Sequence, residues 1–150
     1  IKCGADAVCA EFKFGSDGDL ENACIASRIV ETAHDYGLPV LITVYVVPGI
    51  LKILGDSAYA HACVIAEEIG ADIVKTALPN DVKIIRQCVE AVSIPIITAG
   101  GSKMSEEVLF ENIRIQKENG VTGVAIGRNI WADNNPEKII KNIRGIIQKN

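Results

Sequence analysis

The sequence predicts an α/β fold in which parallel strands alternate with helices. Three features point to it. Strand-like apolar runs and amphipathic helical runs alternate five times along the 150 residues. Helical runs close repeatedly on glycine, at Gly37, Gly70 and Gly120, the residue that relieves the left-handed turn ending a helix. Glycine-rich or polar pieces follow the strand-like runs directly, where parallel α/β folds bind ligands.

The strand-like runs are residues 7–12, 40–46, 73–77, 94–98 and 123–126. Between and after them, apolar residues recur at three-and-four spacing over 19–36, 56–69, 81–92, 105–119 and 136–148, as in Ile139, Ile140, Ile143, Ile146 and Ile147. Asp19, Asp56, Asn80 and Ser105 are placed to cap helix N-termini; Val108 three residues after Ser105 rules out a full capping box. No linker, low-complexity tract or charge block divides the chain, so residues 1–150 read as one domain. The opening Ile1-Lys2-Cys3-Gly4 resembles the end of a helix with its glycine stop, and no Met precedes it. The chain is therefore expected to begin inside something larger.

Composition narrows the function classes. Hydrophobic content is 49%, charged content 23% and net charge −4. That balance argues against nucleic acid or an anionic membrane as partner. No run approaches the ~20 apolar residues that span a bilayer, and none reads as a signal peptide. The five cysteines form no C-x-x-C pair and read as small buried hydrophobes in a reducing cytoplasm. His34 and His61 lie in helical segments without ligand spacing to any cysteine, so no metal and no cofactor is expected.

Two architectures accommodate five βα units. One is a doubly wound, flavodoxin-type sheet, for which this length is natural. The other is part of a (β/α)₈ TIM barrel, which needs about 250 residues when whole. Length favours the open sheet; the strand ends favour the barrel. Gly100-Gly101-Ser102 follows the fourth strand and Gly127-Arg128-Asn129 follows the fifth. Glycines bring backbone N–H groups close to an anion, and Arg128 can add a charge-assisted contact. Paired loops on consecutive final strands are a common phosphate site in barrels. Either loop alone would read as an ordinary turn.

Lys75 is the other anomaly. It sits in GADIVKTALP, an otherwise apolar β-branched run. A bare ammonium is costly to bury there unless paired or neutralised. A lone strand lysine usually snorkels to water or pairs with an acid. Inside a dry barrel lumen, however, its neutral amine becomes accessible and can attack a carbonyl. Period-2 alternation puts Ile73 with Lys75 on one face and Val74 with Thr76 on the other. Tyr45 on the preceding strand is a proton donor or acceptor in reach, and Glu11 and Lys13 share a face of the first strand.

In combination, GADIVKTALP, PIITAGGSK and GVTGVAIGRNIW closely resemble the last strands of archaeal-type class I fructose-bisphosphate aldolases and related deoxyribose-phosphate aldolase-like barrels. GADAVCAEFKFGS resembles that family's fourth strand and LPVLITVY its fifth, so the resemblance runs the length of the chain. It implies strands four to eight of the barrel, with Lys75 as the Schiff-base lysine and Tyr45 as the acid/base tyrosine. It also implies Gly100, Gly101, Ser102, Gly127 and Arg128 as phosphate loops, a phosphorylated sugar as substrate, a cytoplasmic location and a homo-oligomer. The family's further acid/base residues belong to a strand before Ile1. Where relatives often carry Tyr-Pro-Arg-Gly, this chain reads Tyr45-Val46-Val47-Pro48-Gly49 without the arginine, and Lys75 is followed by Thr-Ala-Leu, so the substrate pocket is expected to differ. The competing readings are a flavin- or nucleotide-binding barrel using the same phosphate loops, and a non-enzymatic flavodoxin-like module.

Overall fold

The computed structural model describes residues 3–148, so Ile1 and Lys2 of the expected helix stop lie outside the described residues. Five strands, β1 (Val8–Phe14), β2 (Val40–Val46), β3 (Ile73–Thr76), β4 (Ile96–Ala99) and β5 (Gly123–Ala125), form one sheet. Among the described residues seven helices lie between and after the strands: α1 (Asp19–Asp35), α2 (Pro48–Leu54), α3 (Ser57–Ile69), α4 (Val82–Ala91), α5 (Glu106–Glu118), α6 (Arg128–Trp131) and α7 (Pro136–Ile147). Every strand pair is parallel, and the spatial order is the chain order, β1-β2-β3-β4-β5.

That order settles the architecture. A doubly wound sheet reverses direction at a switch point and carries helices on both faces. Here there is no reversal, and the buried core lies on one face. Ala10, Phe12, Val40, Ile42, Val44, Val74 and Ile96 pack against Ala26 and Val30 of α1, Ala62 and Cys63 of α3, and Ile84 and Ile85 of α4. A second cluster joins Leu109 and Ile113 of α5 to Ile139 and Ile143 of α7, with Val124 and Ile126 against it. Helices on one face and sequential parallel strands are the wall of a (β/α)₈ barrel, and the doubly wound alternative is excluded.

The local signals hold with shifts of a residue or two. Gly37, Gly70 and Gly120 all have positive φ and close α1, α3 and α5. The α4 cap is Asp81, not Asn80: its carboxylate accepts from Lys83 N and Ile84 N. Ser105 Oγ accepts from Val108 N as expected, whereas Asp56 makes no capping bond. Asp19 is the first residue of α1, and its carboxylate accepts from Gly15 N and Ser16 N at 2.7 Å each, tying down the loop before the helix. Two short helices, α2 and α6, arise in stretches where the sequence pattern marks no element. Only Cys63 and Cys88 are buried; Cys3, Cys9 and Cys24 are exposed, because Cys9 faces away from the helices and Cys24 lies on the outer side of α1. No helix among the described residues is long and apolar enough to cross a membrane.

One polar clasp sets the registry at the N-terminal ends of the strands. Asp72 Oδ2 accepts from Val40 N at 2.7 Å and pairs with His34 Nε2 at 2.9 Å, joining β3, β2 and α1. These hydrogen bonds, the Val40 amide first, hold its carboxyl below the usual aspartate range. The folded value is depressed, so this stabilisation is present above the ordinary aspartate range and is lost as pH falls through the folded value. Asp72→Asn is therefore expected to lower Tm by roughly 2–4 °C at pH 7. Thermal unfolding of both proteins followed against pH should show the gap closing as pH falls through and below the ordinary aspartate range.

Candidate active site

The face of the sheet opposite the helices carries a different set of residues. Register places Glu11, Thr43, Lys75, Ile97 and Gly123 in one row across all five strands. Val74 and Thr76, 0% and 2% exposed, face the helices. Lys75 must then face away from them, half-buried between Thr43 and Ile97. The alternation expected from sequence is the one the strand adopts.

Tyr45 lies two residues further along β2 on that same face, 44% exposed. Strand spacing of ~4.8 Å and a rise of ~3.3 Å per residue put its Cα about 8 Å diagonally from that of Lys75, a gap two long side chains can close. Lys13 registers with Tyr45, and Ala99 with Ala125, in the same upper level. The two alanines leave space between Lys75 and the ends of β4 and β5. Glu11 and Lys13 are both exposed, and no ion pair joins them among the described residues.

The β4 and β5 ends converge. Gly100 N donates to Ala125 O at 3.2 Å, extending the pairing of the two strands by one residue. A Cβ on Gly100 would come within 2.8 Å of Ile126 Cγ2, so only glycine lets this turn lie over β5. Gly101 follows with φ +64°, a left-handed conformation costly for any side chain. Because Gly100 N is spent, the backbone donors available to an anion are those of Gly101, Ser102, Gly127 and Arg128. All four residues are exposed, and Arg128 makes no ion pair among the described residues.

Sequence reasoning places Asn129 in the second loop without a role of its own, yet it is 4% exposed and bonded to the facing loop. Its Nδ2 donates to Gly100 O at 2.9 Å and Ser102 O at 3.0 Å, and its Oδ1 accepts from Met104 N at 2.8 Å. The available signal was position alone: an amide directly after the Gly-Arg of one loop. Lys103 Nζ adds a further tie, donating to Ala132 O. At the other end of the strand-end surface, the loop after β1 is filled by the Asp19 carboxylate, and β2 runs into apolar α2, where Ile53 is exposed.

Residues 1–133 match the family model described as DeoC/LacD family aldolase. The chain belongs to this aldolase family. It is 34% identical over 150 residues to 2-amino-3,7-dideoxy-D-threo-hept-6-ulosonate synthase 1 of Archaeoglobus fulgidus, matching 100% of this chain and 56% of that protein. It is 30% identical over 148 residues to fructose-bisphosphate aldolase class 1 of Halobacterium salinarum, matching 96% of this chain and 56% of that protein. The crystal structure of an archaeal fructose 1,6-bisphosphate aldolase superposes with a TM-score of 0.89 at 28% identity, over 97% of this chain and 59% of that one. A structural analysis of reaction intermediates of a Schiff-base-forming fructose-1,6-bisphosphate aldolase matches with a TM-score of 0.87 at 27% identity, over 97% and 60%. The aldolase-family chain thus spans little more than half the length of the relatives it matches.

The tight seating of Gly100 is directly testable. Gly100→Ala is expected to cost about 1–3 kcal/mol in chemical denaturation. Adding Ile126→Ala should recover part of that loss, so the two changes will not be additive.

Proposed function

We propose that this chain supplies the Schiff-base half of a class I aldolase acting on a phosphorylated sugar or a related phosphorylated ketose. The observation that carries the reading is the register of β3. It turns Lys75 onto the helix-free face between Thr43 and Ile97, with Tyr45 diagonal to it on β2. Lys75 Nζ would attack the substrate carbonyl, and loss of water from the carbinolamine gives an iminium. The iminium accepts the electron pair of the breaking carbon–carbon bond. Run in reverse, the derived enamine attacks an aldehyde.

Tyr45 would carry protons to and from the carbinolamine oxygen, a role its position at the open end of the site permits. The exposed turns at Gly101-Ser102 and Gly127-Arg128 would hold the substrate phosphate. Binding energy from that remote group then orients the reacting carbons. Relatives named for fructose bisphosphate cleavage and for a dideoxy-heptulosonate synthesis both support carbon–carbon bond chemistry. A solved archaeal fructose-1,6-bisphosphate aldolase, 25% identical with a TM-score of 0.87, has its catalytic lysine covalently bound to the carbinolamine intermediate of its substrate. The apolar α2 helix in place of an arginine-bearing loop supports a substrate whose second end is not held as a phosphate there.

Borohydride reduction of the complete protein with dihydroxyacetone phosphate, followed by peptide mass spectrometry, tests the proposal. The expected adduct lies on the peptide containing Lys75 and disappears in Lys75→Ala. An adduct confined to another lysine, or none, overturns it. Tyr45→Phe is expected to lower kcat by about 10²–10⁴-fold in a steady-state assay while Lys75 remains present to be trapped.

A further inference from the structure

The turn after β4 is held from the side rather than from below. Under it lies a cavity of about 180 Å³ between β4 and α5, lined among others by Asn80, Thr98, Gly101, Asn112 and Gln116. Thr98 Oγ1 is buried there without a hydrogen-bond partner among the described residues. The floor beside Gly101 is thus partly empty. The loop is tied down by the Gly100 seat on Ile126, the buried Asn129 amide from the β5 side and the Lys103 Nζ bond to Ala132 O.

Asn129 makes three hydrogen bonds across the gap between the loops. Its Nδ2 holds the carbonyls of Gly100 and Ser102, the residues on either side of Gly101. Its Oδ1 holds Met104 N, where the loop leaves toward α5. Both carbonyls are engaged by an amide donor. The same residue follows Arg128 directly, so one buried side chain links the loop carrying Gly101-Ser102 to the loop carrying Gly127-Arg128.

We propose that Asn129 is a positioning residue for the substrate phosphate: it touches no substrate, and it fixes the two loops at the separation one phosphate monoester requires. The inference rests on the reading of these loops as the phosphate site. A misplacement of about 1 Å in such a clamp can cost on the order of 100-fold in rate. That loss falls on the phosphorylated substrate, because an unphosphorylated carbonyl compound gains nothing from the clamp.

The test measures, in the complete protein, borohydride trapping rates with dihydroxyacetone phosphate and with dihydroxyacetone. Wild type, Asn129→Ala, Asn129→Asp and Arg128→Ala are compared, with thermal unfolding followed in parallel. Asn129→Asp keeps the acceptor for Met104 N but replaces both donors with a carboxylate, whereas Asn129→Ala removes them without adding charge, so a loss shared by the two variants reports the hold on Gly100 and Ser102. The expected result is a fall of about 100-fold in the preference for the phosphorylated compound in both Asn129 variants. If wild type shows a preference that Arg128→Ala loses and both Asn129 variants keep, the Asn129 role is overturned and the phosphate reading stands. Parallel falls with both compounds, leaving the preference intact, also overturn it as a purely structural effect. If wild type shows no preference and Arg128→Ala changes neither rate, the phosphate reading fails and takes this inference with it.

Discussion

The arrangement depends on one constraint: the parallel register of β2, β3 and β4. Side chains alternate across a strand, so a slip of one residue would exchange the two faces of β3. Val74 would leave the helix layer and Lys75 would enter it, among Ile85, Cys63 and Cys88. An unpaired ammonium there would cost several kcal/mol or be forced neutral. The apolar demand of the helix layer thus selects the face on which Lys75 stands. Asp72 reinforces the choice from below by its bond to Val40 N, and Val74 N donates to Pro95 O at 3.0 Å on the other side. Folding energetics and site geometry are set by the same alternation.

The surface formed by the strand ends is divided. At the β1 and β2 side, an internal carboxylate occupies the N–H groups of Gly15 and Ser16, and Gly15 packs so closely on Ile50 of α2 that a Cβ would lie 2.4 Å from that residue. That side is closed by its own residues and presents apolar groups. At the β4 and β5 side, glycine turns stay exposed, Arg128 stands beside them, and a buried amide braces them. Lys75 lies on the central strand between the two. A substrate with an anionic end toward β5 and its carbonyl over β3 matches that division.

Much of this was legible in the sequence because the signals are local. Alternation fixed the face of Lys75, and glycine stops marked the ends of three helices. Asn80 and Asp81 are both capping residue types, and sequence could not separate them; Asp81 takes the extended backbone that aims its carboxylate at the next amides, while Asn80 Nδ2 donates to Asn112 Oδ1. The α2 helix was missed because Pro48-Gly49 reads as a turn, although proline also opens helices at their first position. The choice between sheet and barrel was not local at all. Strand order depends on which edges meet across 20 to 40 residues, and each βα unit looks alike in both folds. Asn129 was missed for a similar reason: its partners, Gly100, Ser102 and Met104, lie at least 25 residues away in the chain. Three cysteines expected in the core, Cys3, Cys9 and Cys24, proved exposed because hydrophobic type alone does not say which face of an element is covered.

The central claim is geometric, and a crystal structure of the complete protein reduced with borohydride in the presence of dihydroxyacetone phosphate tests it most directly. The account predicts continuous density from Lys75 Nζ to the former carbonyl carbon, the Tyr45 hydroxyl within hydrogen-bond reach of that centre, and the phosphate seated between Gly101-Ser102 and Gly127-Arg128. Density attached to a different lysine, or a phosphate resting on the β1 and β2 side with the β4 and β5 loops unoccupied, would contradict it.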